Sequence, residues 1–352
     1  RLSLRLSLRR SLGDYFKRGA IQMSFEFLTE VLQLPLERLA VSCFGGDDRF
    51  PDMPRDDESA AIWRSVGIPP ERIGFIRGGM LESKFNWWGP AGRTGPCGPD
   101  TEMFYWVGAG EPTGNPATHP DLWLEIGNDV LIQYNKGTDG SFTSLSQKTV
   151  DEGLGIDRLA VVLQGVGSVY ETDRMKPIFE TVTLRPVQLV QGRPEQLEGR
   201  QAQGGTRHAR VIADHLRAAT FIIADGVLPS NVDQGYVLRK LIRRAVRSGR
   251  KLGIKEHPFT PIIAGAVISE YGHIYGNLRN RAKEIRDVLA HEEEQFSKTL
   301  TEGLKHFQRV LGKLGGETVD GLTAFHLFDT FGFPLELTKE IAKERSLTVD
   351  EQ

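Results

Sequence analysis

The sequence predicts an α+β chain: a domain built on an antiparallel sheet, followed by an all-helical domain. Three observations carry this expectation. Between Glu102 and Gly140 short apolar runs are divided by turn residues, not by helix-length segments, which favours hairpins over a doubly wound parallel sheet. From Arg207 almost to the end, apolar residues recur at helical spacing. Between these regions, residues 182–206 are polar, rich in Gln, Gly, Pro and Arg, and show no period. The boundary is placed there, giving domains 1–200 and 201–352, and 352 residues suit two domains.

The elements follow in order. The first twelve residues, RLSLRLSLRRSL, carry four arginines and no acid. They fit either an organelle transit segment or an alternating strand. Residues 19–33 read as an amphipathic helix with Ile21, Phe25, Leu28 and Leu32 on one stripe. Leu39–Phe44 reads as a strand. Asp56–Val66 reads as a short helix stopped by Gly67 and Pro69-Pro70. Residues 78–101, rich in Gly and Pro, read as an ordered loop. Strands are expected at Glu102–Val107, Leu122–Ile126 and Val130–Tyr134, with a turn at Asn135–Gly140 and a helix after Gly155. Near the end, Leu300, Leu304, Phe307, Leu311 and Leu314 have the spacing of a helix packed in a bundle.

Composition narrows the function classes. The net charge of −2 argues against a chain that is a polyelectrolyte binder throughout. Cys43 and Cys97 are the only cysteines, with no CxxC and no Cys/His cluster. That argues against a structural zinc site and against a secreted disulfide scaffold. No metal ligands are named. No apolar run approaches the ~20 residues of a membrane span, so a reducing, cytoplasmic compartment and no membrane partner are expected. The chain does not begin with Met, and it is expected to be a fragment.

Three constellations carry chemistry. The first is Thr149–Leu159, with Asp151, Gly153, Gly155 and Arg158 ahead of an apolar helix. Glycines allow close backbone approach to a ligand. A helix start offers free N–H groups to an anion, and Arg158 adds a planar, permanently charged fork for phosphate. Asp151 could hold an ammonium group. The plain alternative is a turn before a helix. The second is the loop from Asn86 to Glu102, whose prolines shape it and whose Trp87 and Trp88 could floor a pocket or sit in the core. Cys97 reads as packing, since no nearby His would activate it. The third is basic: Gln234–Lys255 holds eight Lys/Arg and no acid. Arg239, Lys240, Arg243, Arg244, Arg247, Arg250 and Lys251 recur at helical spacing, opposite Leu238, Leu241, Ile242, Ala245 and Val246. A solvated face would mix signs, so a polyanion, most plausibly nucleic acid, is the expected partner.

An amino-acid holder, a nucleotide holder and a polyanion-binding helix together point to tRNA charging. The chain resembles the alanyl-tRNA synthetases, a family of class II aminoacyl-tRNA synthetases. The matching stretches are Gly13–Lys17, Thr94–Pro99, Val150–Arg158, Arg210–His215, Asp225–Asn231 with Gly235–Arg239, and Phe328–Pro334. They cover nearly everything after residue 12.

The resemblance implies a class II antiparallel-sheet domain and a helical acceptor-stem domain. It implies ATP and Mg²⁺ as cofactors, alanine and the tRNA(Ala) acceptor stem as partners, and no zinc. Val150–Arg158 matches the third class motif, so Arg158 would contact ATP phosphates, with Gly153 and Gly155 against the nucleotide. Lys17, in the surviving tail of the second motif, is assigned to ATP as well. Asp151 matches the acid that holds the alanine ammonium, Trp88 the pocket wall, and Asn128 a pocket asparagine. Asn231 and Asp329 match the pair associated with reading a G·U wobble, for which an amide and a carboxylate are suited. Arg239, Lys240, Arg243, Arg244 and Arg247 would bind nearby phosphates. The resemblance also implies parts that are not matched: the first class motif, the arginine and glutamate of the second, the zinc-bearing editing domain, and the oligomerisation region. Residues 1–12 do not match the second motif, and its arginine would grip the α-phosphate. Slow or absent adenylate formation is therefore expected, and the competing reading is a tRNA-binding remnant without chemistry.

Overall fold

The computed structural model describes residues 5–82, 84–189, 200–255, 257–312 and 317–350, with backbone alone for 5–12, 184–189 and 200–205. The chain divides into two compact units, residues 1–172 and 173–352.

The first unit runs β1 (Arg5–Leu12), α1 (Lys17–Glu26), β2 (Leu39–Phe44), α2 (Asp57–Val66), β3 (Ile73–Ile76), β4 (Trp87–Trp88), β5 (Gly95–Trp106), β6 (Trp123–Lys136), β7 (Phe142–Gly155) and α3 (Ile156–Gln164). The sheet order is β1-β7-β6-β5-β2-β3, with β4 paired to β5. Pairing is antiparallel except between β2 and β3. The expected α+β class with an antiparallel sheet is borne out.

Residues 5–12 form a strand, one of the two readings left open, with Arg10 opposite Asp151 and Ser7 opposite Gly153. Several other elements differ from the expectation. The two expected strands at 122–126 and 130–134 are one, β6, because Gly127–Asp129 continues the ladder instead of breaking it. The hairpin partner is β7, whose polar sequence gave no strand signal. Part of the expected loop 78–101 is strand: β4 and the first half of β5. Helix α1 is continued by a π-turn over Phe27–Val31. Asp56 caps α2 by accepting from Ser59 N at 3.1 Å.

Residues directly opposite across antiparallel strands share a face. One row on the sheet is Ser42, Glu102, Asn128 and Gly153, and two residues along lie Asp100, Val130 and Asp151. The intervening row, Thr101, Asp129 and Glu152, lies on the other face. That other face is covered by helices. Ser24 of α1 donates to Asp129 Oδ1 at 2.9 Å, and Trp63 of α2 donates to Thr101 Oγ1 at 2.8 Å. The main core lies there, with Ile21, Leu28, Val41, Trp63, Met103 and Leu154 buried together. The face that carries Asn128 and Asp151 is the polar one.

The second unit is helical: α4 (Lys176–Leu189), α5 (Arg200–Ala224), α6 (Asp233–Leu252), α7 (Thr260–Tyr271), α8 (Gly276–Asn280), α9 (Ala282–Leu311), α10 (Gly321–Phe331) and α11 (Leu335–Lys343). A small parallel pair, β8 (Thr318–Val319) with β9 (Thr348–Val349), was not expected. Its core includes Ile212, Leu216, Leu238, Ile242, Ile263, Leu289 and Phe296. Leu300 and Phe307 are buried on α9, whereas Leu314 lies outside the described residues. The division at 172/173 precedes the polar stretch because α4 packs on α5 and α7.

Candidate functional site

The polar face of the first unit gathers most of the residues singled out for small-molecule binding. Asn128 is buried on β6, in register with Glu102 and Gly153. Its Nδ2 donates to Asp100 Oδ2 at 3.1 Å. Asp151, half-buried on β7, lies opposite Val130, which in turn faces Asp100. Arg158 stands in the first turn of α3 and makes a two-point pair with Glu125, at 2.9 and 3.0 Å. Gly155 is needed for that pair. A Cβ there would lie 2.5 Å from Arg158 Nε, so the missing side chain makes room for the guanidinium.

The electrostatics of this face are governed by crowded carboxylates. Glu102 is pushed up to about 9 by burial first, then by the charges of Asp100 and Glu125. It is therefore a neutral acid at pH 7. Its Oε2 lies 3.1 Å from the Ser42 hydroxyl. Asp100, Glu102, Glu125 and Asn86 were not singled out from the sequence. The available signal was charge at alternate positions in a strand, Asp100 and Glu102, inside an otherwise apolar run.

The two tryptophans divide. Trp87 is buried with Phe44, Met80 and Cys97 and stacks on Tyr134 with ring centroids 6.0 Å apart. Trp88, next on β4 and paired with Gly98, faces the other side of its strand and is half-buried. Cys97 is fully buried, and burial pushes its thiol up to about 11, which suits packing.

Lys17 is held by other acids. Its Nζ lies 2.5 Å from Asp56 Oδ1 and 3.2 Å from Glu58 Oε2. It lines a cavity of about 270 Å³ with Asp56, Trp87 and Tyr134. The ammonium expected at a nucleotide already has a buried carboxylate partner, because α1 starts beside the cap of α2.

In the second unit, Asn231 and Asp329 line one pocket of about 300 Å³, with Tyr236, Arg239 and Arg243. Both are exposed, and Asn231 Oδ1 accepts from Arg239. The basic face of α6 differs from the expectation of solvent-facing cations. Arg243 Nε donates to Glu292 at 2.7 Å, and its guanidinium also reaches the Gly332 carbonyl and lies 5.0 Å from the Phe296 ring centre. Arg239 lies 3.4 Å from Glu292. Glu336, Glu340 and Glu344, one turn apart along α11 and its end, take the other cations. Lys240 pairs with Glu336 at 2.8 Å, Arg244 with Glu340, and Arg247 with Glu344 at 2.8 Å. Lys251 reaches Glu344 at 3.0 Å. The sequence shows the cations in one run, but their partners lie far along the chain, so the balance of charge was invisible.

Among the described residues, no group of three or more His, Cys, Asp or Glu could hold a metal ion. No described helix is long and apolar enough to cross a membrane.

A six-strand path dominated by antiparallel pairing, with Asp and Asn on its polar face and Arg158 on the helix that follows, is consistent with a class II synthetase α+β domain. A family model described as tRNA synthetases class II (A) matches residues 9–352, and the chain belongs to that family. The relatives it matches are alanine–tRNA ligases. That of Borreliella afzelii is 42% identical over 346 residues, 97% of this chain and 55% of the relative. That of Treponema pallidum is 44% identical over 354 residues, again 97% of this chain and 55% of the relative. That of Nitrosococcus oceani is 42% identical, with 36% of the relative covered. The resemblance read from the motifs is thus borne out. The chain spans about half the length of the first two relatives.

Proposed function

We propose that this chain is the amino-acid-activating and acceptor-stem-reading part of an alanine–tRNA ligase. The observation that carries the proposal is the meeting of Asn128, Asp151 and Gly153 in adjacent rows of one polar sheet face, with Arg158 at the helix that follows. An aminoacyl-adenylate needs an anion beside its ammonium and a cation beside its phosphate, and this face offers both.

The alanine carboxylate would attack the α-phosphorus of ATP, releasing pyrophosphate. The 3′-terminal hydroxyl of the tRNA would then attack the alanyl carbonyl, releasing AMP. Asp151 balances the ammonium in both steps. Trp88 supplies the bulk that excludes larger side chains. Arg158 meets the phosphates by sharing or exchanging Glu125, and Gly153 admits the nucleotide against the strand. Class II synthetases use ATP with Mg²⁺. The ion would travel with the nucleotide phosphates, and each role above belongs to the chain's own side chains. Lys17 takes a structural part.

In the helical unit, Asn231 and Asp329 are proposed to read the acceptor-stem wobble pair from their shared pocket. Arg239 lines that pocket and remains a phosphate contact in this proposal. Lys240, Arg244 and Arg247 would have to leave carboxylate partners to touch RNA, and Arg243 is held by Glu292.

Alanine-dependent ATP–pyrophosphate exchange tests the proposal. Exchange that requires alanine and falls in Asp151→Asn supports it. Acceptor-stem binding without any alanine-dependent exchange would favour the reading of a tRNA-binding remnant without chemistry.

A further inference from the structure

Asp100 sits where two asparagines from different parts of the chain meet. Its Oδ2 accepts from Asn128 Nδ2 at 3.1 Å and its Oδ1 from Asn86 Nδ2 at 3.3 Å. Asn86 Nδ2 also donates to Ser42 Oγ at 2.8 Å. Asp100, Asn128 and Asn86 are 3%, 4% and 0% exposed, so neither amide is solvated and a flip would have to find new partners inside the protein.

The chemistry of the carboxylate fixes the amides. Its oxygens accept, so each asparagine must present its NH₂ and turn its carbonyl away. Both carbonyl oxygens, Asn86 Oδ1 and Asn128 Oδ1, are buried without a hydrogen-bond partner. Native structures leave few such acceptors unpaired, so each calls for a partner such as a water, an ion or a ligand. Asn128 lies in register with Gly153, two residues along β7 from Asp151. A donor that satisfies Asn128 Oδ1 while its positive charge is balanced by Asp151 is a primary ammonium.

We propose that Asp100 is a positioning residue, which locks Asn128 with its carbonyl oxygen toward the ammonium of the amino-acid substrate. This rests on the assignment of the polar face as the aminoacyl-adenylate site. Asn86 and Ser42 form the other arm of the clamp and hold Asp100 in place. Asp100 touches no reacting atom and acts through Asn128, so it should govern recognition of the amino acid and not of ATP.

The full chain labelled with ¹⁵N-asparagine provides the test, with the Asn128 side-chain NH₂ signals assigned by their loss in Asn128→Asp. Asp100→Asn keeps the shape but offers one oxygen and one NH₂, so one neighbouring amide must turn. The expected result is displaced Asn128 NH₂ signals, an alanine KM raised about tenfold in exchange, and an ATP KM within about twofold. Asp100→Ser, smaller and unable to hold both amides, carries the same expectation should Asp100→Asn fold poorly. Unmoved Asn128 signals, or KM values for alanine and ATP that rise together, would overturn the proposal. Were the unmodified chain to show no alanine-dependent exchange, the reading as an activating enzyme would fail, while the NH₂ signals would still decide what Asp100 does.

Discussion

The polar sheet face and the basic helix α6 handle charge in opposite ways. On the sheet, Asp100, Glu102 and Glu125 crowd together, Glu102 gives up its charge, and buried acceptors on Asn86 and Asn128 stay open. On α6, cations that are consecutive in sequence are met by Glu292, Glu336, Glu340 and Glu344 of the same unit. Open acceptors leave polar capacity for a further donor, whereas these cations of α6 already face charges of opposite sign, although Arg239, Arg244 and Arg247 keep a buried Nε without a hydrogen-bond partner. A run of one charge sign in a sequence therefore says little about partners until the opposite sign has been located in space.

The largest effect should come from breaking the ladder where it is buried. Glu292 is 5% exposed and serves both Arg239 and Arg243. Glu292→Ala should cost about 2–4 kcal/mol by leaving two half-buried guanidinium groups without their shared buried carboxylate. Urea unfolding of the helical unit checks it, and a change under about 1 kcal/mol would put α6 back among solvent-facing helices. Any loss of RNA binding in Arg243→Ala should accompany the same loss of structure.

Next in size is a pH effect on the covered face of the sheet. Asp129 is fully buried and raised from 3.8 to about 8, by burial first and then by the charge of Glu152, against the Ser24 hydroxyl that lowers it. A raised carboxyl means that the folded chain holds a proton the unfolded chain has released between those values. Stability therefore falls as pH climbs from about 4 to 8. Asp129→Asn should remove that slope and gain on the order of 2 kcal/mol at pH 8. Thermal unfolding at pH 5 and pH 8 would show parallel curves for both proteins if Asp129 were not the cause.

Gly155→Ala should cost less than about 1 kcal/mol, because the new methyl meets only the flexible end of Arg158, which can move aside. Exchange activity should fall with it, as the Arg158–Glu125 pair is displaced. Full activity would mean that Arg158 works equally well from another resting place. The smallest effect is expected at exposed Asn231. Asn231→Ala should leave stability within about 0.5 kcal/mol and remove about 1 kcal/mol of preference for a G·U over a G·C acceptor hairpin. An unchanged preference would remove Asn231 from the reading of the pair.

The sequence made the fold class legible because hairpin spacing and helical periods are local signals. It also made Asp151, Gly155 and Arg158 legible, since they share one short segment. Strand β7 escaped because its outer half is polar and exposed, so alternation had no apolar face to mark. Strand β6 was cut in two because Gly127, Asn128 and Asp129 look like a turn, yet Asn128 and Asp129 serve opposite faces of one strand. The ion pair of Lys17 was not legible because its partner, Asp56, is brought by a different helix. Asp100 was passed over because its meaning depends on two amides that only folding brings together.

Binding of a non-hydrolysable alanyl-adenylate analogue tests the central claim, that the polar face of the sheet is the activation site. Titration should be run on the unmodified chain, Asp151→Asn and Lys17→Met, below the unfolding temperature of each. The account predicts binding to the unmodified chain, at least about tenfold weaker binding to Asp151→Asn, and unchanged affinity in Lys17→Met despite its lower stability. Undiminished affinity in Asp151→Asn, or a loss confined to Lys17→Met, would place the site away from Asp151 and contradict the account.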